Sequence, residues 1–219
     1  MSNELRWYGK VLPKQLTEVR LVIISDLHYG NPYFSHKHFQ RTVDFVKNNA
    51  NTYCFLNGDL CEAVLKSSKG EIYKQIGSPD DQKKQVVEWL MPIKDSILGA
   101  TTGNHENRIY ESAGTDITDY IAEKLNIPYR PEGMLYKLAF GDNNNYTKGK
   151  PFVFWLYLTH GYGGARTKSA KSIKVERASN WIHADLIAMS HDHVVNIAPE
   201  IYLIPDNRGS LDDKGFLSG

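Results

Sequence analysis

An apolar, β-branched run that ends in an Asp and a His constrains this chain more than any other stretch of its sequence. Residues 21–24 read Leu-Val-Ile-Ile and are followed by Asp26 and His28. Such a run predicts a buried parallel strand, because strands covered on both faces are apolar throughout. At extended geometry residues i and i+2 point to the same side, so a carboxylate and an imidazole would arrive together at the carboxyl edge of a sheet. Both groups are good ligands for a divalent metal ion.

The same design recurs along the chain. Five apolar runs end in polar residues of this kind, and five of the eight histidines lie at these ends. Taken singly, a Gly-Asp pair is usually a turn and a His near a strand end is usually a packed side chain. Their repeated occurrence at strand ends favours a metal centre instead. The five ends are Asp26-x-His28, Gly58-Asp59, Gly103-Asn104-His105, His160-Gly161 and His191-x-His193.

Length and composition predict a soluble globular protein with one sizeable core. The 219 residues have no internal repeat and no linker, so residues 1–219 are expected to form a single α/β domain. The net charge of +1 favours neither a nucleic-acid nor a membrane partner, so any substrate preference must come from local charge. We expect no membrane association, because no apolar stretch is long enough to cross a bilayer. The first ten residues have no apolar block like that of a signal peptide, which predicts a cytoplasmic location.

Two smaller features complete the organisation of the chain. Cys54 and Cys61 are too few for a disulfide framework. Cys61, two residues after Asp59, could have a ligand or redox role, but a small buried thiol is the favoured interpretation. The chain stops as an apolar run begins near Phe216, which predicts that its C-terminal end is missing.

The order of the motifs between residues 26 and 193 resembles the calcineurin-like metallophosphoesterase superfamily, and in particular its phage and bacterial members. The motifs are Asp-x-His, Gly-Asp, Gly-Asn-His-Glu, His-Gly and His-x-His. This resemblance implies a four-layered αββα sandwich, with two sheets between layers of helices. It also implies two divalent transition-metal ions. Asp26, His28 and His193 would hold one ion, Asn104, His160 and His191 the other, and Asp59 would bridge both.

The resemblance implies the chemistry as well. A metal-bridging hydroxide would attack phosphorus, and His105 would protonate the leaving oxygen or stabilise the transition state. Glu62 stands where phosphoprotein phosphatases have an Asp that orients this His, and it is one methylene longer. Arg108 could bind a phosphate oxygen or form a plain salt bridge. Oxygen and nitrogen ligands without thiolate suit manganese, which we favour, or iron or zinc.

The last motif departs from the family pattern. Ser190-His191-Asp192-His193 replaces the common Gly-His-Thr-His, and both imidazoles remain. Asp192 could orient a ligand histidine or face solvent.

The substrate class is predicted from a basic stretch. Residues 163–174, read as a loop, contain four basic residues and no acid. They could grip phosphate groups, or they could be an ordinary solvated loop. The first interpretation favours a phosphodiesterase or nuclease acting on DNA, RNA or a nucleotide. A phosphomonoesterase, a protein phosphatase or a non-catalytic metal-binding scaffold are the alternatives, and the complete ligand set favours an enzyme. The sequence gives no indication of oligomeric state.

Overall fold

The computed structural model describes residues 7–68, 72–141, 151–164, 167–205 and 211–218. Within these ranges the chain forms nine strands and five α-helices, with short 3₁₀ helices at Ile72–Lys74 and Met91–Ser96. The strands are β1 (Trp7–Val11), β2 (Arg20–Ile24), β3 (Thr52–Asn57), β4 (Ile97–Thr101), β5 (Met134–Phe140), β6 (Phe152–Thr159), β7 (Leu186–Met189), β8 (Ala198–Pro205) and β9 (Leu211–Ser218). The helices are α1 (His36–Asn48), α2 (Pro79–Leu90), α3 (Asn104–Ala113), α4 (Ile117–Leu125) and α5 (Lys168–Ser179).

The strands form two sheets. The smaller sheet has the order β2-β3-β4 and is parallel throughout. The larger sheet has the order β1-β5-β6-β7-β9-β8 and is mixed, because β5 and β6 form an antiparallel pair and β8 and β9 form another. Two apolar runs, 135–140 and 152–158, flank a turn-rich stretch in the sequence, which predicts a hairpin. The antiparallel pairing of β5 and β6 confirms it, while its connection at residues 142–150 lies outside the described residues.

Apolar side chains between the two sheets hold them together. Phe55 and Leu98 of the smaller sheet pack in one cluster with Tyr136, Leu138 and Leu156 of the larger sheet. A separate cluster joins α1, α2 and α4 to the other face of the smaller sheet. A third cluster joins α5 to the outer face of the larger sheet through β6 and β7. The layers are therefore helix, sheet, sheet and helix, which confirms the predicted α/β sandwich of four layers.

Strand β3 shows why the apolar runs were informative. Cys54 and Leu56 pack with the helices, whereas Phe55 packs with the second sheet. Because successive side chains point to opposite faces, a strand between two covered faces is apolar over a nearly continuous run, as residues 53–56 are here.

The parallel sheet also determines where the predicted ligand motifs lie. Since α1 connects β2 to β3 and α2 lies between β3 and β4, the three parallel strands leave the sheet at one edge. Strands β6 and β7 are parallel to each other and also end in the predicted ligand motifs. All five motifs therefore follow strands directly, as predicted.

Several elements differ from the sequence-based expectations. The apolar spacing of residues 80–97 predicts one helix, but α2 ends at Leu90 and the chain continues as a 3₁₀ turn, because Pro92 has no N–H to continue the α-helical ladder. The stretch predicted as a basic loop contains a helix, since α5 begins at Lys168 after its N-cap Thr167. The apolar run near the end of the chain forms β9, which pairs with β7 and β8. None of the helices in the described part of the chain is long and apolar enough to cross a membrane.

Candidate metal centre

The loops that follow the strands have an unusual backbone. The predicted extended geometry of Asp26 and His28 is wrong, because β2 has ended before them and both have a positive φ, 52° for Asp26 and 49° for His28. Three more candidate ligands share this conformation: Asp59, His191 and His193 have φ values of 52°, 70° and 50°. A left-handed conformation costs about 1–2 kcal/mol in a residue other than glycine. Such strain is concentrated at functional sites.

Backbone hydrogen bonds continue between the loops beyond the strands. The N–H of Asp26 donates to the carbonyl of Gly58 at 3.1 Å, and the N–H of His28 donates to the carbonyl of Asp59 at 2.9 Å. Gly58 itself has φ of +79°, and a Cβ there would lie 2.6 Å from the backbone nitrogen of Gly103. The glycine is therefore required where the Asp59 loop approaches Gly103, while the two hydrogen bonds hold the Asp26 loop beside the Asp59 loop.

One group of candidate ligands consists of Asp26, His28 and His193. The Nε2 atom of His193 lies 3.0 Å from Oδ1 of Asp26 and 3.4 Å from Nε2 of His28. Two imidazole nitrogens and one carboxylate oxygen thus converge from the β2 and β7 ends. This arrangement suits a cation bound between them.

A second group consists of Asp59, His160 and His191. Nε2 of His160 lies 3.1 Å from Oδ2 of Asp59, and Nδ1 of His160 donates to the carbonyl of Asn57 at 2.7 Å. Nε2 of His191 lies 2.6 Å from the carbonyl oxygen of Gly163. A carbonyl can only accept, so His191 donates there and has Nδ1 left as its lone-pair atom.

The carboxylate of Asp59 lies between the two groups. Its Oδ2 atom is 3.1 Å from His160 Nε2 and 3.9 Å from His28 Nε2. The side chain is only 2% exposed. Burial raises the pKa of Asp59, but the adjacent imidazole of His160, together with His105, outweighs this effect and lowers the pKa to about 2. Asp59 is therefore ionised and placed where a shared ligand would be.

Buried polar atoms without hydrogen bonds test whether a metal ion fits. Among the described residues, Asp26 Oδ1 and His160 Nε2 are both buried and have no partner in hydrogen-bond geometry. An unsatisfied buried polar atom costs about 1–3 kcal/mol. Both atoms belong to the two ligand groups, and bound cations would satisfy them. The residues present fit two divalent ions held by nitrogen and oxygen.

Asn104 is the first residue of α3, and its side chain is exposed. Its neighbours on both sides contact Asp59: the N–H of His105 donates to Oδ1 of Asp59 at 2.9 Å, and a Cβ on Gly103 would lie 2.1 Å from that oxygen. The side chain of Asn104 makes no hydrogen bond to the described residues. Its role as a ligand of the second ion therefore stays a prediction.

His105 faces the same centre. Its Nδ1 atom lies 2.8 Å from the main-chain carbonyl oxygen of Glu62, and its Nε2 atom lies 3.9 Å from Oδ2 of Asp59. Because the carbonyl only accepts, Nδ1 carries a hydrogen and Nε2 points toward the centre. Burial lowers the pKa of His105, and the charges of His28 and Arg108 lower it further against the opposing effect of Asp59. His28, Asp59 and His105 form a third group close enough to hold an ion, so only the family resemblance separates His105 from the ligands.

Glu62 holds His105 through its carbonyl group rather than its carboxylate. The carboxylate oxygen Oε2 is 3.2 Å from Nδ1 of His28 and 3.7 Å from Nδ1 of His105. The first distance is that of an ion pair, although the two atoms are not aligned for a hydrogen bond. Burial lowers the pKa of His28, but Glu62, with Asp59 and Asp26, raises it overall. Of the two histidines, the Glu62 carboxylate is therefore closer to the metal-ligand candidate His28 than to His105.

Arg108 lies one turn after His105 on α3. Its charge lowers the pKa of His105, which places a cation near this imidazole. Arg108 forms no ion pair with the residues that the structure describes, so the plain salt bridge considered above is not found there. Phosphate binding by Arg108 stays a prediction.

Sequence reasoning missed the part played by Glu106. This side chain is 1% exposed, and it accepts hydrogen bonds from the backbone N–H groups of Asp59, Cys61 and Gly103 at 3.0, 2.8 and 3.2 Å. Burial, assisted by the charge of Asp59, raises the pKa of Glu106 to about 7. The spacing of three residues from Gly103 to Glu106, typical of a helix N-terminus, is the signal that could have revealed it. Cys61 is fully buried, as expected of a small apolar thiol.

Asp192, the charged residue of the last motif, neither orients a ligand histidine through its carboxylate nor faces solvent freely. Both carboxylate oxygens of Asp192 accept from Nζ of Lys174, at 2.9 and 3.1 Å, and its carbonyl accepts from Nζ of Lys171 at 2.7 Å. Two of the four basic residues thus bind the loop that carries His191 and His193. Arg166, which belongs to the same stretch, lies outside the described residues.

A cleft of about 700 Å³ opens on the centre. Its lining includes Asp26, His28, Glu62, His105 and His193, and also Tyr33 from the loop before α1. A substrate that reaches the candidate ligands from this cleft would therefore also contact that loop.

No protein-family model matches the chain, and none of the curated proteins matches it. Among solved structures, the chain is similar to the calcineurin-like phosphoesterase YfkN from Bacillus subtilis, with 15% sequence identity and a TM-score of 0.41. The match covers 78% of this chain and 60% of that one, so the chain spans less than two thirds of the length of this structure. The functional conclusion rests on the geometry of the site.

Proposed function

We propose that this chain is a metal-dependent hydrolase of phosphate esters that prefers phosphodiesters. One observation carries the proposal: the ionised, buried carboxylate of Asp59 lies between two groups of Asp and His side chains, and each group has one buried ligand atom without a hydrogen bond, Asp26 Oδ1 in the first and His160 Nε2 in the second. Two cations close together need a carboxylate to offset their repulsion, and a binuclear centre suits in-line displacement at phosphorus.

Each candidate ligand is assigned to one of the two ions or to both. Asp26, His28 and His193 would hold one ion, and His160, His191 and Asn104 the other. Asp59 would contribute to both. We favour manganese, with iron or zinc as alternatives, because the donors are nitrogen and oxygen without thiolate. When bound, the two ions would polarise the phosphoryl group and acidify a water molecule.

His105 would act on the leaving oxygen. Its Nδ1–H is held by the carbonyl of Glu62, so a second proton on Nε2 would face the centre and be available for transfer to the departing group. Arg108, one turn further along α3, would stabilise negative charge on a phosphate oxygen. Neither role requires the Glu62 carboxylate, whose nearest contact is His28.

The lysines of α5 favour a small diester over a long polyanion. Lys171 and Lys174 are bound to Asp192 and are therefore not free to grip a nucleic-acid backbone. A nucleotide-sized diester needs no extended basic face. We accordingly place nucleotides before DNA and RNA.

The experiment compares bis-p-nitrophenyl phosphate with p-nitrophenyl phosphate after metal removal and reconstitution with Mn²⁺. We expect faster release of p-nitrophenol from the diester. Asp59→Ala should abolish it, while Asp44→Ala, an exposed carboxylate on α1, should not. Faster monoester cleavage would favour the phosphomonoesterase alternative. Bound metal without turnover of either ester would favour a non-catalytic scaffold.

A further inference from the structure

An exposed aromatic ring lines the same cleft as the candidate ligands. Tyr33 is 94% exposed, yet it borders the cleft that contains Asp26, His28 and His105. Aromatic side chains gain free energy when their faces are covered, so this ring offers a large apolar face to whatever enters. Single exposed aromatic residues are common on protein surfaces. The inference therefore depends on how Tyr33 is held.

The backbone on both sides of Tyr33 is fixed. The N–H of Tyr33 donates to Oδ1 of Asn31 at 3.0 Å, and the N–H of Asn31 donates to the carbonyl of His28 at 2.9 Å. The following residue, Phe34, stacks on Trp89 with ring centroids 5.7 Å apart. The ring of Tyr33 thus projects from a short segment tied to a ligand candidate at one end and to the core at the other. Because this backbone is already ordered and a Tyr side chain has only two χ angles, covering the ring with a partner ring costs little conformational entropy.

We infer that Tyr33 is the stacking residue for the nucleobase of a nucleoside phosphodiester whose phosphate group lies at the Asp59 centre. This subsite rests on the function proposed above and deepens it, since it names the group attached to the phosphate. Every nucleobase has a planar π face, and stacking on an aromatic side chain is tolerant of base identity. The loss of one such contact weakens binding by roughly 5- to 150-fold.

The test uses two diesters that share a leaving group and differ only in the nucleoside. These are the p-nitrophenyl ester of thymidine 5′-monophosphate and ethyl p-nitrophenyl phosphate, assayed with Mn²⁺-loaded protein. The wild type should prefer the thymidine ester. Tyr33→Ala should lower that preference roughly 5- to 150-fold through KM, with kcat little changed. Tyr33→Phe should retain the preference, because it keeps the ring.

The matched control is Tyr73→Ala. Tyr73 is 96% exposed on the 3₁₀ turn at Ile72–Lys74 but does not line the cleft, so its removal should leave both esters unaffected. Equal losses on the two esters in Tyr33→Ala, or a wild type with no preference for the nucleoside, would overturn the inference.

A binding measurement separates this inference from the proposed hydrolysis. Calorimetric titrations compare thymidine 5′-monophosphate with inorganic phosphate. If neither ester is cleaved, the proposed function fails, yet a base-dependent gain in affinity that Tyr33→Ala removes still supports the stacking residue. Equal affinity of the wild type for nucleotide and phosphate would contradict it.

Discussion

Replacing Glu62 tests whether its carboxylate serves the metal ligand or the candidate acid. Oε2 of Glu62 lies 3.2 Å from His28 Nδ1 and 3.7 Å from His105 Nδ1. Both side chains of the closer pair are shielded, at 10% exposure for Glu62 and 17% for His28, so solvent screens their interaction only weakly. Partners that orient a ligand histidine are typically worth a factor of 10–100 in metal affinity. This range corresponds to about 1.4–2.7 kcal/mol of binding free energy.

We therefore expect Glu62→Gln to weaken metal binding by about tenfold and Glu62→Ala by up to about 100-fold. The amide oxygen of Gln can still face His28, but without the negative charge. The main-chain carbonyl that holds His105 is present in both variants, so turnover at saturating metal should fall much less. Competition with a chromophoric chelator gives the metal affinity, and kcat is measured at saturating Mn²⁺. Glu123→Gln, an exposed residue of α4, is the control.

The opposite pattern would refute this reasoning. If the carboxylate orients His105, as the Asp of phosphoprotein phosphatases would, Glu62→Gln should lower kcat and leave metal affinity at the wild-type value. That result would mean that the difference between 3.2 and 3.7 Å does not decide the partner.

Four further outcomes are expected. Asp59→Ala should lose both metal ions, measured by elemental analysis, since its carboxylate lies between the ligand groups; two retained ions would contradict the bridge. His105→Ala should keep its metal, while its turnover number falls by about 10²- to 10⁴-fold. Loss of metal in this variant would identify His105 as a ligand. Lys174→Met should lower the free energy of unfolding by about 2 kcal/mol in urea, because it leaves the Asp192 carboxylate without its partner. A Lys174→Met/Asp192→Asn double variant should recover part of that loss. A single variant as stable as the wild type would contradict the pairing. Mn²⁺ at 100 times its Kd should stabilise the wild type by about 2.7 kcal/mol in the same assay, and no stabilisation would count against a native metal site.

The fold and the positions of the ligand motifs were accessible from sequence for a common reason. In a covered parallel strand every residue must be apolar, so runs such as 21–24 and 53–56 reveal both the strand and its end. The carboxyl ends of parallel strands lie at one edge of the sheet, so polar residues that directly follow the strands are brought together regardless of the loop conformation. Asp26 and His28 therefore reach one group even though the extended geometry assumed for them is wrong.

The partners of charged side chains could not be predicted in the same way. Whether Glu62 reaches His28 or His105 depends on differences of half an ångström that follow from backbone placement. Lys174 meets Asp192 only because residues from 168 onward form a helix against the larger sheet, and the stretch showed no helical apolar face to predict it. Local sequence patterns report burial, whereas these pairings depend on tertiary contacts.

Contacts that the sequence did not reveal stabilise the loops whose backbone is strained. Five left-handed residues cost on the order of 5–10 kcal/mol together. Glu106 binds the backbone of the Asp59 loop, and Lys174 with Lys171 binds the Asp192 loop. Hydrogen bonds contribute about 0.5–1.5 kcal/mol each, and about 1.5–3 kcal/mol when one group is charged, so these contacts offset part of the strain. These contacts hold the ligand loops together, and bound cations would add to them by satisfying Asp26 Oδ1 and His160 Nε2, which are buried without a hydrogen bond.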